Sequence, residues 1–184
     1  PNLVARSLAA NRTGLVAALV PSLGYTQHAE VAHGLLEHLR EHGVTLVIGH
    51  SGYNLDTETE TVEAFLARRP DAFYLTGADH SDATRRLLKA SRVPVVEGSN
   101  LTDKPIDCVV GYSNFDAMRE LTHRLARSSR RPIVHVTTSN EPNDRIRDRL
   151  RGYEAACAEL RGKAQARIVA SPNTLDGGAE ALRE

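Results

Sequence analysis

Strand-like and helix-like segments alternate along almost the whole chain, and that alternation leaves few folds open. LVAALV, at Leu15–Val20, is a continuous apolar run closed by Pro21 and Gly24, the pattern of a strand buried on both faces. Helical spacing of Val31, Leu35, Leu36 and Leu39 predicts a helix over 27–42, with Gly43 just past its end. VTLVIG (44–49), AFYLTG (72–77), VPVVEG (93–98) and CVVGY (108–112) read as further strands. Between them, 57–69 reads as a helix stopped by Pro70, and 82–91 as a helix opened by Ser81 as N-cap. The pattern then restarts with a helix at 114–126, a strand at 132–137, a helix at 145–160, a strand at 166–170 and a helix from 177 to 184. Serial βαβ units demand right-handed crossovers and a parallel sheet with helices on both faces, so the expected class is α/β. The second series holds too few strands for a covered sheet, so we expect it to be one part of a lobe that continues beyond Glu184.

Charge and patterning remove several functions. Lys plus Arg number 23 and Asp plus Glu 23, so the chain has no general electrostatic hold on nucleic acid. No apolar run approaches the roughly 18 residues of a membrane span, and residues 1–14 lack the apolar stretch of a signal peptide. Cys108 and Cys157 fall on different predicted elements without a CxxC, which fits ordinary side chains in a reducing cytoplasm rather than a disulfide framework. A chain that begins with Pro1 rather than Met is expected to derive from a longer precursor.

Open parallel sheets bind ligands at the carboxyl ends of their strands. Applied here, that rule names Ser22, Tyr25, Gln27 and His28 after the first strand, then His50, Ser51 and Tyr53, Thr76 and Asp79, Glu97 and Asn100, Ser113 and Asn114, and Thr138, Ser139 and Asn140. The rim is polar and aromatic, suited to a small polyhydroxylated or carboxylated molecule: tyrosine stacks on a sugar face and histidine donates to an oxygen. Neither GxGxxG nor GxxxxGK[ST] occurs, and GxSxG and HExxH are absent too, so we expect no catalytic residue, cofactor or metal. Asp79-His80-Ser81-Asp82 is triad-like in letters, but adjacent residues rarely point to one locus. In RIRDRLRGYEAA (145–156), Arg145, Arg149 and Gly152 share a helical face. An arginine near a helix start opposes the macrodipole, and a guanidinium there can clamp a carboxylate or paired hydroxyls. The alternative is a solvated basic face paired with Asp144, Asp148 and Glu154.

Three motifs in order carry a family resemblance. PNLVARSL followed by Thr13-Gly14 and an apolar strand resembles the hinge and first strand of the LacI family of transcriptional regulators. VGYSNFDA (Val110–Ala117) resembles the family's VGxDNxxA segment, and RLRGYEAA (149–156) its RxxGFxxA segment. LVPSL, the HSGY at His50–Tyr53 and VPVVE most resemble the gluconate-operon repressors within it.

The resemblance implies a periplasmic-binding-protein-like type I fold of two Rossmann-like subdomains. It divides the chain into a hinge helix and linker (1–13), an N-terminal effector-binding subdomain (14–111) and part of a C-terminal one (112–184). It implies an effector of the sugar or sugar-acid class in the cleft between subdomains, contacted by Arg149 and His28, to which the strand-end rule adds Tyr25, His50, Tyr53, Glu97 and Ser113. Asn2, Arg6 and Leu8 would belong to the DNA hinge, with Leu8 as the minor-groove wedge and Arg6 near phosphate. The implied protein is a cytoplasmic homodimer that contacts operator DNA through the hinge and a head preceding Pro1. Ser113 stands where the family usually has Asp, and Tyr25 where Asn is common. A periplasmic sugar-binding protein and a small α/β enzyme are the competing readings, the first disfavoured by the ARSL hinge.

Overall fold

The computed structural model describes residues 12–128, 132–138, 143–160 and 166–183. The hinge assignments at Asn2, Arg6 and Leu8, and the rim residues Ser139 and Asn140, lie outside the described residues. The chain forms two compact units that meet in sequence between Gly111 and Tyr112.

The first unit alternates β1 (Leu15–Val20), α1 (Thr26–Glu41), β2 (Thr45–His50), α2 (Leu55–Leu66), β3 (Ala72–Thr76), α3 (Asp82–Ser91), β4 (Val95–Gly98) and β5 (Cys108–Val110). Among the described residues its sheet is five-stranded and parallel, in the order β2-β1-β3-β4-β5. The most apolar run, β1, is central, paired with β2 on one side and β3 on the other. Right-handed crossovers then place α2 and α3 on one face and α1 on the opposite face. Side-chain parity agrees: Ala17, Leu19, Phe73, Leu75 and Val95 build one core with Val62 of α2 and Leu88 of α3, flanked by Phe65, Leu66 and Leu87. The topological switch point lies between β1 and β3, where crossovers diverge.

Residues Thr13-Gly14 start β1 by clamping an acid. The Thr13 and Gly14 N–H groups donate to the two carboxylate oxygens of Asp71 at 2.9 and 2.8 Å, and Thr13 Oγ1 donates to the Arg69 carbonyl at 2.9 Å. Burial pushes the Asp71 carboxyl up, yet these donors and Arg12 hold it below its ordinary value. The entry to β1 is thereby tied to the entry to β3.

Local signals explain where boundaries differ from expectation. Helix α2 begins at Leu55, earlier than 57, because Asn54 accepts from the Asp56 and Thr57 N–H groups. Strand β4 begins at Val95 rather than 93: Arg92 is left-handed (φ 57°) and the Val93 N–H donates to Ser91 Oγ, so the helix-end turn consumes these residues. Ser81 caps α3 as expected, accepting from the Thr84 N–H, and Gly43 follows α1 with φ 67°.

The second unit contains α4 (Asn114–Ser128), β6 (Val134–Thr138), α5 (Asp144–Glu159), β7 (Arg167–Ser171) and α6 (Leu175–Ala181). Its parallel strands β6 and β7 pair in register from Val134–Arg167 to Thr138–Ser171. Tyr153 of α5 locks them together: its hydroxyl donates to the Ile133 carbonyl at 2.6 Å and accepts from the Arg167 N–H at 2.9 Å. Helix α6 spans 175–181 rather than 177–184 because Thr174 caps it through the Gly177 N–H.

Candidate functional site

At the switch point of the first unit, the residues after β1 and β2 converge on an aromatic cluster. The Tyr25 and His28 rings meet edge-on at 5.9 Å, and the Tyr53 ring lies 6.5 Å from His28. His28 is buried, with Nδ1 2.9 Å from the Ser22 carbonyl; a carbonyl only accepts, so Nδ1 carries the proton. The loop holding Tyr53 is pinned by donation from the Ser51 N–H to the Val20 carbonyl and the Gly52 N–H to the Pro21 carbonyl. Gly52 and Tyr53 are both left-handed, with φ of 60° and 61°. That geometry suits glycine, whereas for tyrosine it costs about 1 kcal/mol or more. Side chains of Asn54, Ser81, Asn143 and Thr174 cap α2, α3, α5 and α6, whereas Tyr25 stands at the N-cap of α1 with no side-chain cap hydrogen bond.

Other rim residues of this unit part company. His50 is exposed at the end of β2, on the sheet edge. Glu97 lies elsewhere than the rim position assigned to it from sequence. Its register partner is Leu75, which puts it on the face toward α2 and α3, and it is fully buried. There its Oε2 accepts from the Ile106 N–H, while Oε1 lies 3.4 Å from His80 Nε2 and 3.6 Å from the Arg85 guanidinium. His80 also contacts Glu58 of α2 through Nδ1 at 2.9 Å. Burial alone would lower the imidazole's pKa; the hydrogen bonds and charges of Glu58 and Glu97 override it and raise it to about 9, so His80 is a cation at neutral pH. Arg85 extends the network by donating to the Ala78 and Lys104 carbonyls. The network therefore joins α2, the loop after β3, α3 and the loop between β4 and β5. Asp79-His80-Ser81-Asp82 is thus no triad: His80 turns to Glu58 and Glu97, and Ser81 caps α3.

In the second unit the motif residues act together. Gly152 lies where a Cβ would collide with the Phe115 carbonyl and approach the Arg119 N–H, so only glycine permits α5 to close on α4. On the same face, Arg149 donates from NH1 to Asn114 Oδ1 at 2.8 Å, and Asn114 is buried at the start of α4. Burial, and then the Arg149 charge, hold the His135 pKa below its ordinary value, with Glu154 acting in opposition. The neutral ring stacks on Tyr153 at 5.2 Å. Arg145, placed with Arg149 by helical spacing, instead turns inward and pairs with Asp144 at 2.9 Å. Ser113 accepts from the Asp116 N–H at 3.0 Å, opening α4. Serine and aspartate serve equally there, which accounts physically for serine at a position where an acid is common.

Sequence reasoning missed the Glu58–His80–Glu97–Arg85 network and the hold of Asn114 on Arg149. The first had no periodic signature; the second was readable only as the spacing of two motifs. Among the described residues, no helix is long and apolar enough to cross a membrane.

Comparison with known proteins places these features in context. The family described as periplasmic binding proteins and sugar binding domain of LacI family matches residues 13–184. The chain is 26% identical over 184 residues to the HTH-type transcriptional regulator GntR of Escherichia coli K12, covering all of this chain and 55% of that protein. It thus spans about half the length of that curated relative. Among solved structures, a LacI-family transcriptional regulator from Silicibacter pomeroyi superposes with a TM-score of 0.87 at 31% identity, covering 100% of this chain and 55% of that one. The transcription regulator GntR from Chromobacterium violaceum gives 0.77 at 31% identity, covering 92% and 62%.

Proposed function

The chain belongs to the family of periplasmic binding proteins and LacI-type sugar-binding domains, and from that premise we propose that it is the effector-sensing part of a repressor-type transcriptional regulator. The family match over residues 13–184 carries this reading, and the names of the relatives favour a regulator over a periplasmic carrier or an enzyme. The effector is a small sugar or sugar acid. Its apolar ring face packs on Tyr25, His28 and Tyr53. Arg149, oriented by Asn114, gives a bidentate hold on a carboxylate or paired hydroxyls. His50 and Ser113 serve as secondary contacts in this reading.

The regulator works as a cytoplasmic homodimer on operator DNA, with Asn2, Arg6 and Leu8 in the DNA hinge. Effector binding shifts the dimer between operator-competent and incompetent states by the difference in its affinity for the two. Titration calorimetry of the chain against aldonic acids and the matching neutral sugars tests the effector reading. We expect one class to bind saturably and Arg149→Ala to weaken the best ligand at least tenfold. Unchanged affinity in Arg149→Ala would remove that residue from the site.

A further inference from the structure

We propose that His38, Glu41 and His42 form a binding site for a divalent first-row transition ion, zinc foremost, at the C-terminal end of α1. The site lies apart from the candidate effector rim and does not depend on the proposed function. Residues 38–42 carry H-x-x-E-H, the reverse of the HExxH spacing. In either order, two imidazoles one helical turn apart on the same face can reach a common ion.

The geometry supports this in three ways. One ligand atom from each of the three side chains lies within 4.8 Å of the others. Tetrahedral zinc with nitrogen and oxygen ligands places them about 3.3 Å apart, a closure that small rotations of three exposed side chains supply. The His38 and His42 rings are already neighbours, with centroids 4.6 Å apart.

Second, the His42 ring is fixed in a ligating form. Its Nδ1 lies 2.9 Å from the His38 carbonyl. A carbonyl can only accept, so Nδ1 holds the proton and Nε2 keeps its lone pair for a metal. A backbone carbonyl on the second ring nitrogen is the usual way a protein orients a metal-binding imidazole.

Third, the local field favours a cation. The site sits on the last turn of α1, where carbonyl dipoles accumulate negative potential. Glu41 contributes a carboxylate 3.8 Å from His38 Nδ1, against which Arg40 on the same turn sets one positive charge. Two imidazoles with one carboxylate suit zinc, nickel or copper and disfavour calcium or magnesium. The site is solvent-exposed and lacks the dry cleft that hydrolytic chemistry needs, so the inference is of binding alone.

The test uses the full chain free of any polyhistidine tag. Zinc chloride titrated by calorimetry should bind at one ion per chain, and cobalt(II) should develop a visible d–d band at the same stoichiometry. His38→Gln and His42→Gln should each weaken zinc at least about tenfold, and Glu41→Gln should weaken it less. His33→Gln, which alters a histidine on the same helix that pairs with Glu37, should leave it unchanged. All four positions are exposed, and far-UV circular dichroism verifies that each variant is folded. No saturable zinc binding, or equal affinity in the wild type and His38→Gln/His42→Gln, would overturn the proposal. Loss of binding in His33→Gln as large as in His42→Gln would also overturn it, by showing a diffuse patch instead of this site.

Discussion

Raising the pH through the alkaline range should unfasten the first unit at His80. The imidazole is sealed between Glu58 and Glu97, and its pKa stands at about 9 against 6.5 when unpaired. A folded-state pKa above the unfolded one means the folded state binds the proton more tightly. The stabilisation is therefore complete below about pH 6.5 and is lost as pH rises through about 9. The interval corresponds to about 3 kcal/mol at full effect, a large share of a small domain's stability.

Urea unfolding followed by circular dichroism at intervals from pH 6 to 10, on wild type and His80→Gln, measures this directly. The variant leaves Glu58 and Glu97 without their shared cation, so it should be less stable at pH 7 by about 3 kcal/mol. The wild type should lose its advantage across the alkaline range, so that the two curves converge by pH 10. A gap between wild type and variant that stays constant from pH 7 to 10 would show that the histidine does not titrate against these carboxylates.

Gly152→Ala should destabilise the second unit by about 1–3 kcal/mol, since the added methyl meets the Phe115 carbonyl; thermal unfolding reads it. Tyr53→Gly should relieve the left-handed strain at φ 61° and raise stability by about 1 kcal/mol, while effector affinity in calorimetry falls. Asp71→Asn should cost about 1–3 kcal/mol at pH 7 through the charged hydrogen bonds from Thr13 and Gly14. Because the folded Asp71 pKa is depressed, that cost should shrink as acid protonates the wild-type carboxylate, as urea titrations below pH 4 would show.

The fold was largely legible because its signals are periodic. LVAALV could only be a central buried strand, and strand–helix alternation with short connections leaves little besides a parallel sheet. Boundaries moved where a single side chain intervened: Asn54 drew α2 forward, and the Ser91–Arg92 turn delayed β4. The site was legible where a motif encodes geometry. Arg149 and Gly152 share a face because one makes a contact that the other allows by admitting α4. Glu97 was misplaced because proximity to a strand's carboxyl end says nothing about which face a side chain takes. Register with Leu75 decides that, and it turns the acid inward to His80. The His80 network draws on segments distant in sequence, and nothing local announces such a meeting.

Sensing of a sugar or sugar acid at the strand ends, as proposed, is open to measurement residue by residue. Chemical-shift mapping of the isotope-labelled chain, titrated with the best ligand from the panel, tests it most directly. We predict saturable shifts centred on Tyr25, His28 and Tyr53 in the first unit and on Asn114 and Arg149 in the second. Shifts confined to the opposite strand ends, around Thr13, Asp71 and Pro94, or no saturable change with any sugar or sugar acid, would exclude an effector site at these residues.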